Sequence, residues 1–336
     1  MGAMGSVPAL ACSFPPSRDL PRYARHAEAL GYQRVWIYDS PALYGDVWVA
    51  LARVAEATER IGVATGVAVA FLRDVMVTAS AIATIEELAP GRLTVAFGTG
   101  YTGARAMGRK AMRWSDLATY VRQLRALLRG DAVEVNGARC RMIHSPGYAP
   151  PRPIDVPLLV APMGPKGFAV ARELADGVIV SAPPGTDEWD PCALLCSGTV
   201  LDPGEDHTSA RVVETLGPSY ATAIHAMWEF APDTVPTFPG GAAWLADLEE
   251  HYAEADRPWA VHEGHMIAVS ERDRAYVTEA GPAILHSGWT GDPSSVHQRA
   301  VEAAAAGVTE LAYGPTGPDV ERELAAFAAA VRGESA

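Results

Sequence analysis

A chain of 336 residues, 49% of them hydrophobic and 20% charged, has the apolar surface for one large core, which excludes a disordered or fibrous protein. Its 27 Lys and Arg against 40 Asp and Glu leave a formal charge of −13, so phosphate backbones and anionic lipid are repelled and nucleic acid is excluded as a partner. There is no run of about 18 apolar residues and no basic-then-apolar leader at the start, which points to a cytoplasmic protein without membrane contact. Cys12, Cys140, Cys192 and Cys196 are too few and too scattered for a disulfide framework. Residues 1–6 read as the remnant of an expression tag, leaving 7–336 as one expected domain.

In chain order, short β-branched runs alternate with amphipathic stretches, which predicts a (β/α)8 barrel of the TIM type. Strands are expected at 7–12, 34–38, 62–69 and 92–98, with helices at 17–30, 47–60 and 75–88 between them. The run at 62–69 is apolar on both faces, as a strand buried on both faces must be. A helix at 115–128 leads to a polar hairpin around Glu134-Val135-Asn136-Gly137 and a proline-rich loop at 146–157. Strands five and six are expected at 156–161 and 177–181, strand seven at 220–225 and strand eight at 309–313, the last preceded by a helix at 293–306. Residues 230–282, rich in Trp, Pro and acidic groups, read as a long insertion between strands seven and eight, either a lid or a surface for oligomer contacts.

Functional groups in such a barrel collect just after each strand. The candidates there are Ser13, Phe14, Ser40 and Phe71 as substrate contacts, Asp39, Thr99, Gly100, Tyr101, the turn Met163-Gly164-Pro165-Lys166-Gly167, Ser181, His225 and the turn Gly314-Pro315-Thr316-Gly317. Small, apolar and glycine-rich groups suit a flat aromatic ligand with a phosphate tail better than hydrolysis, which needs paired carboxylates or a nucleophile with its base. Met163 to Gly167 ends a strand and opens a helix whose bare N–H groups favour an anion, with Lys166 adding charge; Gly314 to Gly317 is the weaker second site. His225 could donate to a substrate or act as an acid. His262-Glu263-Gly264-His265 fails as a metal motif, because two ligands on one helical face need i, i+4 spacing, and no metal is expected.

Taken together, Trp36-Ile37-Tyr38-Asp39-Ser40-Pro41, Ala55-x-Ala57-Thr58-x-Arg60-Ile61, Gly66-Val67, Ala89-Pro90-Gly91-Arg92, Gly98-Thr99-Gly100, Ala161-Pro162-Met163-Gly164-Pro165-Lys166-Gly167, Ala175-Asp176-Gly177 and Gly307-Val308-Thr309-Glu310 resemble the bacterial luciferase-like superfamily. Within it the chain is most similar to the methylenetetrahydromethanopterin reductase branch. The resemblance covers nearly the whole chain and implies FMN or the deazaflavin coenzyme F(420) at the strand C-termini, with hydride transfer as the core reaction. It also implies a phosphate loop at Met163 to Gly167 with Val180 and Ser181 beside it, ring contacts from Asp39, Thr99 and Gly100, and a bulged third strand with a non-prolyl cis peptide at Gly66-Val67. Ser40 stands where many deazaflavin-dependent members carry histidine, and Tyr101 where some carry an acid, so Tyr101, His225 and Asp39 become the candidate proton donors. The expected protein is a reductase, a homodimer by family analogy, that uses reduced F(420) to pass a hydride to an unsaturated carbon or imine of a small organic molecule. The alternatives are an FMN-dependent monooxygenase of the same fold and a non-catalytic partner subunit.

Overall fold

The computed structural model describes residues 7–186 and 188–334, and the expected tag remnant at 1–6 lies outside them. Alternation of strand and helix is realised from the start: β1 (Ala9–Phe14), α1 (Leu20–Ala29), β2 (Arg34–Ile37), α2 (Val47–Ala57), β3 (Gly62–Val69), α3 (Val75–Leu88) and β4 (Leu93–Gly98). Asp46 and Asp74 start α2 and α3 by accepting backbone N–H groups of the first turn, from Trp48 at 2.8 Å and Met76 at 2.8 Å. After α4 (Tyr101–Arg105) and α5 (Trp114–Arg129), the predicted hairpin forms from β5 (Val133–Val135) and β6 (Ala138–Cys140). Asn136 and Gly137 both have positive φ, as a two-residue type I′ turn requires. The barrel resumes with β7 (Leu158–Val160), α6 (Gly164–Leu174), β8 (Gly177–Val180) and β9 (Cys192–Cys196).

Residues 220–225 are not the seventh strand. They lie inside α7 (Ala210–Phe230), whose buried positions include Val212, Leu216, Ala221 and Ile224, a helical stripe; the seventh strand of the barrel is β9. The chain continues through α8 (Gly241–His251), α9 (Arg257–Val261), α10 (Glu271–Glu279) and α11 (Pro293–Ala305) to β10 (Glu310–Tyr313) and α12 (Val320–Arg332). The expected insertion at 230–282 is the part of this connection that holds α8 to α10. By compactness, Ala9–Leu195 with Ala306–Ala312 forms one unit, and Cys196–Ala305 with the described residues at 7–8 and from Tyr313 onward forms a second, mainly helical one. Among the described residues no helix is long and apolar enough to cross a membrane.

The eight barrel strands close in the order β1-β10-β9-β8-β7-β4-β3-β2. Each contributes one residue to a buried internal ring: Ala11, Trp36, Ala64, Ala96, Leu159, Ile179, Ala193 and Ala312. Five alanines leave the room that the single indole of Trp36 fills. Its Nε1 donates to Glu310 Oε1 at 2.6 Å, and Glu310 also pairs with Arg34. Burial raises the Glu310 carboxyl above its ordinary range, opposed by Arg34 and the indole. Arg34 and Glu310 are the first residues of β2 and β10, so this buried polar plug sits at the N-terminal end of the barrel. That leaves the opposite, C-terminal end as the mouth.

Candidate active site at the barrel mouth

Strand alternation places the residue two positions beyond the internal ring at the mouth. For β1, β2, β4, β7 and β8 these are Ser13, Tyr38, Gly98, Ala161 and Ser181. On β3 the alternation breaks. Thr65 pairs with Val95 but Ala68 pairs with Phe97, so two β3 residues, Gly66 and Val67, stand opposite Ala96 alone. The Thr65 hydroxyl answers the backbone this leaves without a ladder partner, donating to the Ala96 carbonyl at 2.9 Å and accepting its N–H at 3.0 Å. The Gly66–Val67 peptide is cis, at the position the resemblance indicated.

The bulge turns Val67 inward, where it packs on the internal ring together with Ala161. A Cβ built on Gly98 would lie only 2.7 Å from Val67 Cγ2, and one on Gly66 would lie 3.0 Å from Trp36 Cβ. Gly100 has φ +80° and caps α4, and a Cβ there would meet Val69 Cγ1 at 2.4 Å. Gly98 is therefore imposed by the bulge packed against it, and Gly100 by Val69 and its own positive φ. The product is a shallow shelf of Val67, Gly98 and Ala161 at the mouth.

Asp39 holds the far end of β3. Its Oδ2 accepts from the Val69 N–H at 3.0 Å and from Arg73 Nη1 at 2.8 Å, while Arg73 Nη2 reaches Asp46 at 2.6 Å. Burial raises the Asp39 carboxyl, and the Val69 N–H and Arg73 work against that shift. Ser40 is half-buried against α4: a Cβ on Gly103 would sit 3.1 Å from the Asp39 carbonyl and 3.3 Å from Ser40 Oγ. Half-buried Tyr101 opens α4 with Arg105 over its ring at 5.1 Å, and Arg109 lies over Phe71 at 5.9 Å.

Met163, Gly164, Pro165 and Lys166 beyond β7 are exposed, and among the described residues no side chain caps the first-turn amides of α6. Gly164 has φ +64°, and a Cβ there would meet nothing within 4 Å. Gly167, by contrast, is required by packing, since a Cβ would lie 2.8 Å from the Trp114 ring. Ser181 is exposed at the end of β8.

Four expected positions are corrected. Phe14 alternates outward from β1 and stacks on Tyr23 of α1 with centroids 5.7 Å apart, away from the mouth. Val180 follows the inward Ile179 and is buried in the barrel wall. His225 is not at a strand end but inside α7, 2% exposed and 3.0 Å from Asp273. The Gly314 to Gly317 turn is occupied by packing: Thr316 Oγ1 donates to the Thr215 carbonyl at 2.5 Å, and a Cβ on Gly317 would lie 2.7 Å from Thr215 Oγ1. Sequence reasoning missed Tyr38, whose hydroxyl lies 3.0 Å from Ser13 Oγ. Alternation from the inward Trp36 was the signal that could have found it.

A family model described as luciferase-like monooxygenase matches residues 2–189. The 5,10-methylenetetrahydromethanopterin reductase of Methanolobus tindarius is 27% identical over 329 residues, which is 92% of this chain and 94% of that protein. Among solved structures, the coenzyme F(420)-dependent tetrahydromethanopterin reductase of Methanopyrus kandleri aligns with a TM-score of 0.63 at 19% identity, over 96% of this chain and 98% of that one. The FMN complex of the oxygenating constituent of 3,6-diketocamphane monooxygenase, a type II Baeyer-Villiger enzyme from Pseudomonas putida, aligns with a TM-score of 0.60 at 12% identity, over 98% and 99%. At these identities the likeness of both structures to this chain is one of fold.

Proposed function

Because this chain belongs to the luciferase-like monooxygenase family, we propose that it is an oxidoreductase that binds reduced F(420) at the barrel mouth and passes a hydride to an unsaturated carbon or imine of a small organic substrate. The observation that carries this reading is the β3 bulge, which seats Val67 against Gly98 and flattens the mouth into an apolar shelf. A planar ring needs such a floor, and an anionic tail needs N–H donors like those of the first turn of α6. Likeness to the Methanolobus reductase along nearly the full length of both chains supports the same choice.

Once bound, the coenzyme supplies the hydride. The residues of this chain hold and orient it. The α6 amides and Lys166 would hold the anionic tail, and Val67, Gly98 and Ala161 would support the ring. Asp39 acts as a positioning residue, fixing Val69 and through it the end of β3. The Ser13–Tyr38 hydroxyl pair, one partner of which must donate to the other, is a polar group of the mouth placed to move a proton. The alternative reading, an FMN-dependent monooxygenase, is supported by the family model, which is described as luciferase-like monooxygenase, and oxygen consumption separates the two.

Titration of the purified protein with F(420) and with FMN, each followed by fluorescence quenching, tests the assignment. F(420) is expected to bind at least about tenfold more tightly, a difference of roughly 1.4 kcal/mol. Gly164→Asp places a carboxylate over the α6 amides and weakens that binding about tenfold or more, whereas Gly164→Ala, which meets the same backbone strain without the charge, weakens it less. Failure of both cofactors refutes the proposal and favours the non-catalytic subunit. Unchanged affinity in Gly164→Asp removes the anion site from α6.

A further inference from the structure

The helical unit contains a histidine cluster that the flavin reading does not use. His225 lies on α7, His262 closes α9, and His265 follows in a turn made by Gly264 and Met266, both at positive φ. One ring nitrogen from each lies within 4.8 Å of those of the other two. The ring centroids are 5.4 to 6.3 Å apart. The i, i+3 spacing that dismissed His262 and His265 as a pair is beside the point once α7 brings a third imidazole to them.

Two of these rings are held from behind by carboxylates. His225 Nε2 lies 3.0 Å from Asp273 Oδ1, which also accepts Trp244 Nε1 at 2.7 Å, and Ser270 donates to Asp273 Oδ2 at 2.7 Å. His262 Nε2 lies 3.0 Å from Glu229 Oε1. The second ring nitrogens of both, His225 Nδ1 and His262 Nδ1, are buried without a hydrogen-bond partner, on side chains only 3% and 5% exposed. No tautomer cures this: with Nε2 engaged by a carboxylate, Nδ1 remains an unanswered donor or an unanswered lone pair. Native proteins rarely tolerate two such buried atoms unless something ligates them.

A carboxylate on one ring nitrogen and a bare lone pair on the other is how metal-binding histidines are prepared. We infer that His225, His262 and His265 form a binding site for a divalent transition-metal ion, with zinc the ion that three imidazoles and an open fourth position suit. Nitrogens around a tetrahedral zinc stand about 3.3 Å apart, given Zn–N distances of roughly 2.0–2.1 Å, so modest side-chain rotation closes the cluster. Asp273 and Glu229 bring two negative charges to balance the dication. Glu263 and Gly264, on the turn between two of the ligands, line a surface cleft of about 830 Å³.

The test uses full-length protein freed of metal by dialysis against a chelator. It is titrated with Zn²⁺ in competition with a chromophoric chelator, and with Co²⁺ followed by visible absorption. One equivalent of Zn²⁺ per chain at about micromolar Kd or tighter is expected, together with the intense d–d bands of four-coordinate Co²⁺. His265→Gln lowers zinc affinity more than about 100-fold. Glu229→Gln, which leaves all three imidazoles in place, lowers it about 10- to 100-fold. Circular dichroism of the metal-free variants checks folding, and if His265→Gln does not fold, Glu229→Gln decides. Absence of stoichiometric zinc binding to folded wild type, or affinity unchanged in the folded variants, overturns the assignment. F(420) binding is read separately, so loss of either result leaves the other standing.

Discussion

Replacing Gly98 with alanine tests the shelf directly. The added Cβ would lie 2.7 Å from Val67 Cγ2 and 3.8 Å from Ala161 Cβ, where carbon atoms normally rest about 3.5–4.0 Å apart. Val67 is β-branched and packed on the internal ring, so few rotamers are open to it and the bulge itself must move. Overpacking of this kind costs about 1–3 kcal/mol. With an unfolding entropy near 2.1 cal/mol/K per residue over 336 residues, the barrel transition falls by about 1 to 4 °C. Displacing the shelf also weakens F(420) binding, by about tenfold if roughly 1.4 kcal/mol of ring contact is lost. Calorimetry and fluorescence titration of wild type, Gly98→Ala, Val67→Ala and the double variant form a thermodynamic cycle. In the double variant the clashing methyls are gone and most of the loss returns. Should Gly98→Ala melt and bind as wild type, or the two single effects merely add, Val67 does not occupy the space assigned to it.

Two further outcomes follow from the ion pairs. Arg73→Met leaves the Asp39 carboxylate buried without its countercharge, which costs about 3–5 kcal/mol. Burial already raises that carboxyl, so the stability lost relative to wild type is smallest at acid pH, where Asp39 is protonated, and grows as pH rises through the folded-state value. Melting temperatures that fall equally at every pH would contradict this. Arg211 hydrogen-bonds Glu205 and holds its carboxyl at about 2, below the ordinary value of roughly 4.3. That depressed value stabilises the fold above roughly pH 4.5, and the contribution is lost as pH falls toward about 2. Glu205→Gln should therefore flatten the acid limb of the urea midpoint, and an unaltered limb would show the pair to be neutral.

The first six strands were legible because runs such as Gly62–Val69 are short, β-branched and apolar on both faces, the pattern of a strand buried on both sides. The hairpin was legible because Asn136-Gly137 admits hardly any other turn. Strand seven failed on the same criteria. Cys192–Cys196 is short and has no β-branched residue, while Tyr220 to His225 carries Thr and Ile at alternating places within a helix that also contains Pro218, ordinarily a helix breaker. Tertiary burial, not local propensity, made α7 a helix. At the site, Ser13, Asp39 and the α6 turn were readable from position after a strand and Tyr38 from alternation, but the Ser13–Tyr38 contact and the Arg73 bridge to Asp39 were not, because such contacts exist only after the strands are in register. The histidine cluster was hidden for the same reason: local spacing describes one element, and its ligands come from separate ones.

The Arg34–Glu310–Trp36 plug has a consequence for biosynthesis. Its acid belongs to the last barrel strand, and the helical segment Cys196–Ala305 must leave the ribosome before that strand is made. Until then the nascent chain carries a guanidinium and an indole N–H whose buried partner does not yet exist, together with two open sheet edges. A messenger truncated anywhere upstream of Glu310 thus yields an unsealed cylinder, ready prey for chaperones and proteases, however intact the seven strands already translated.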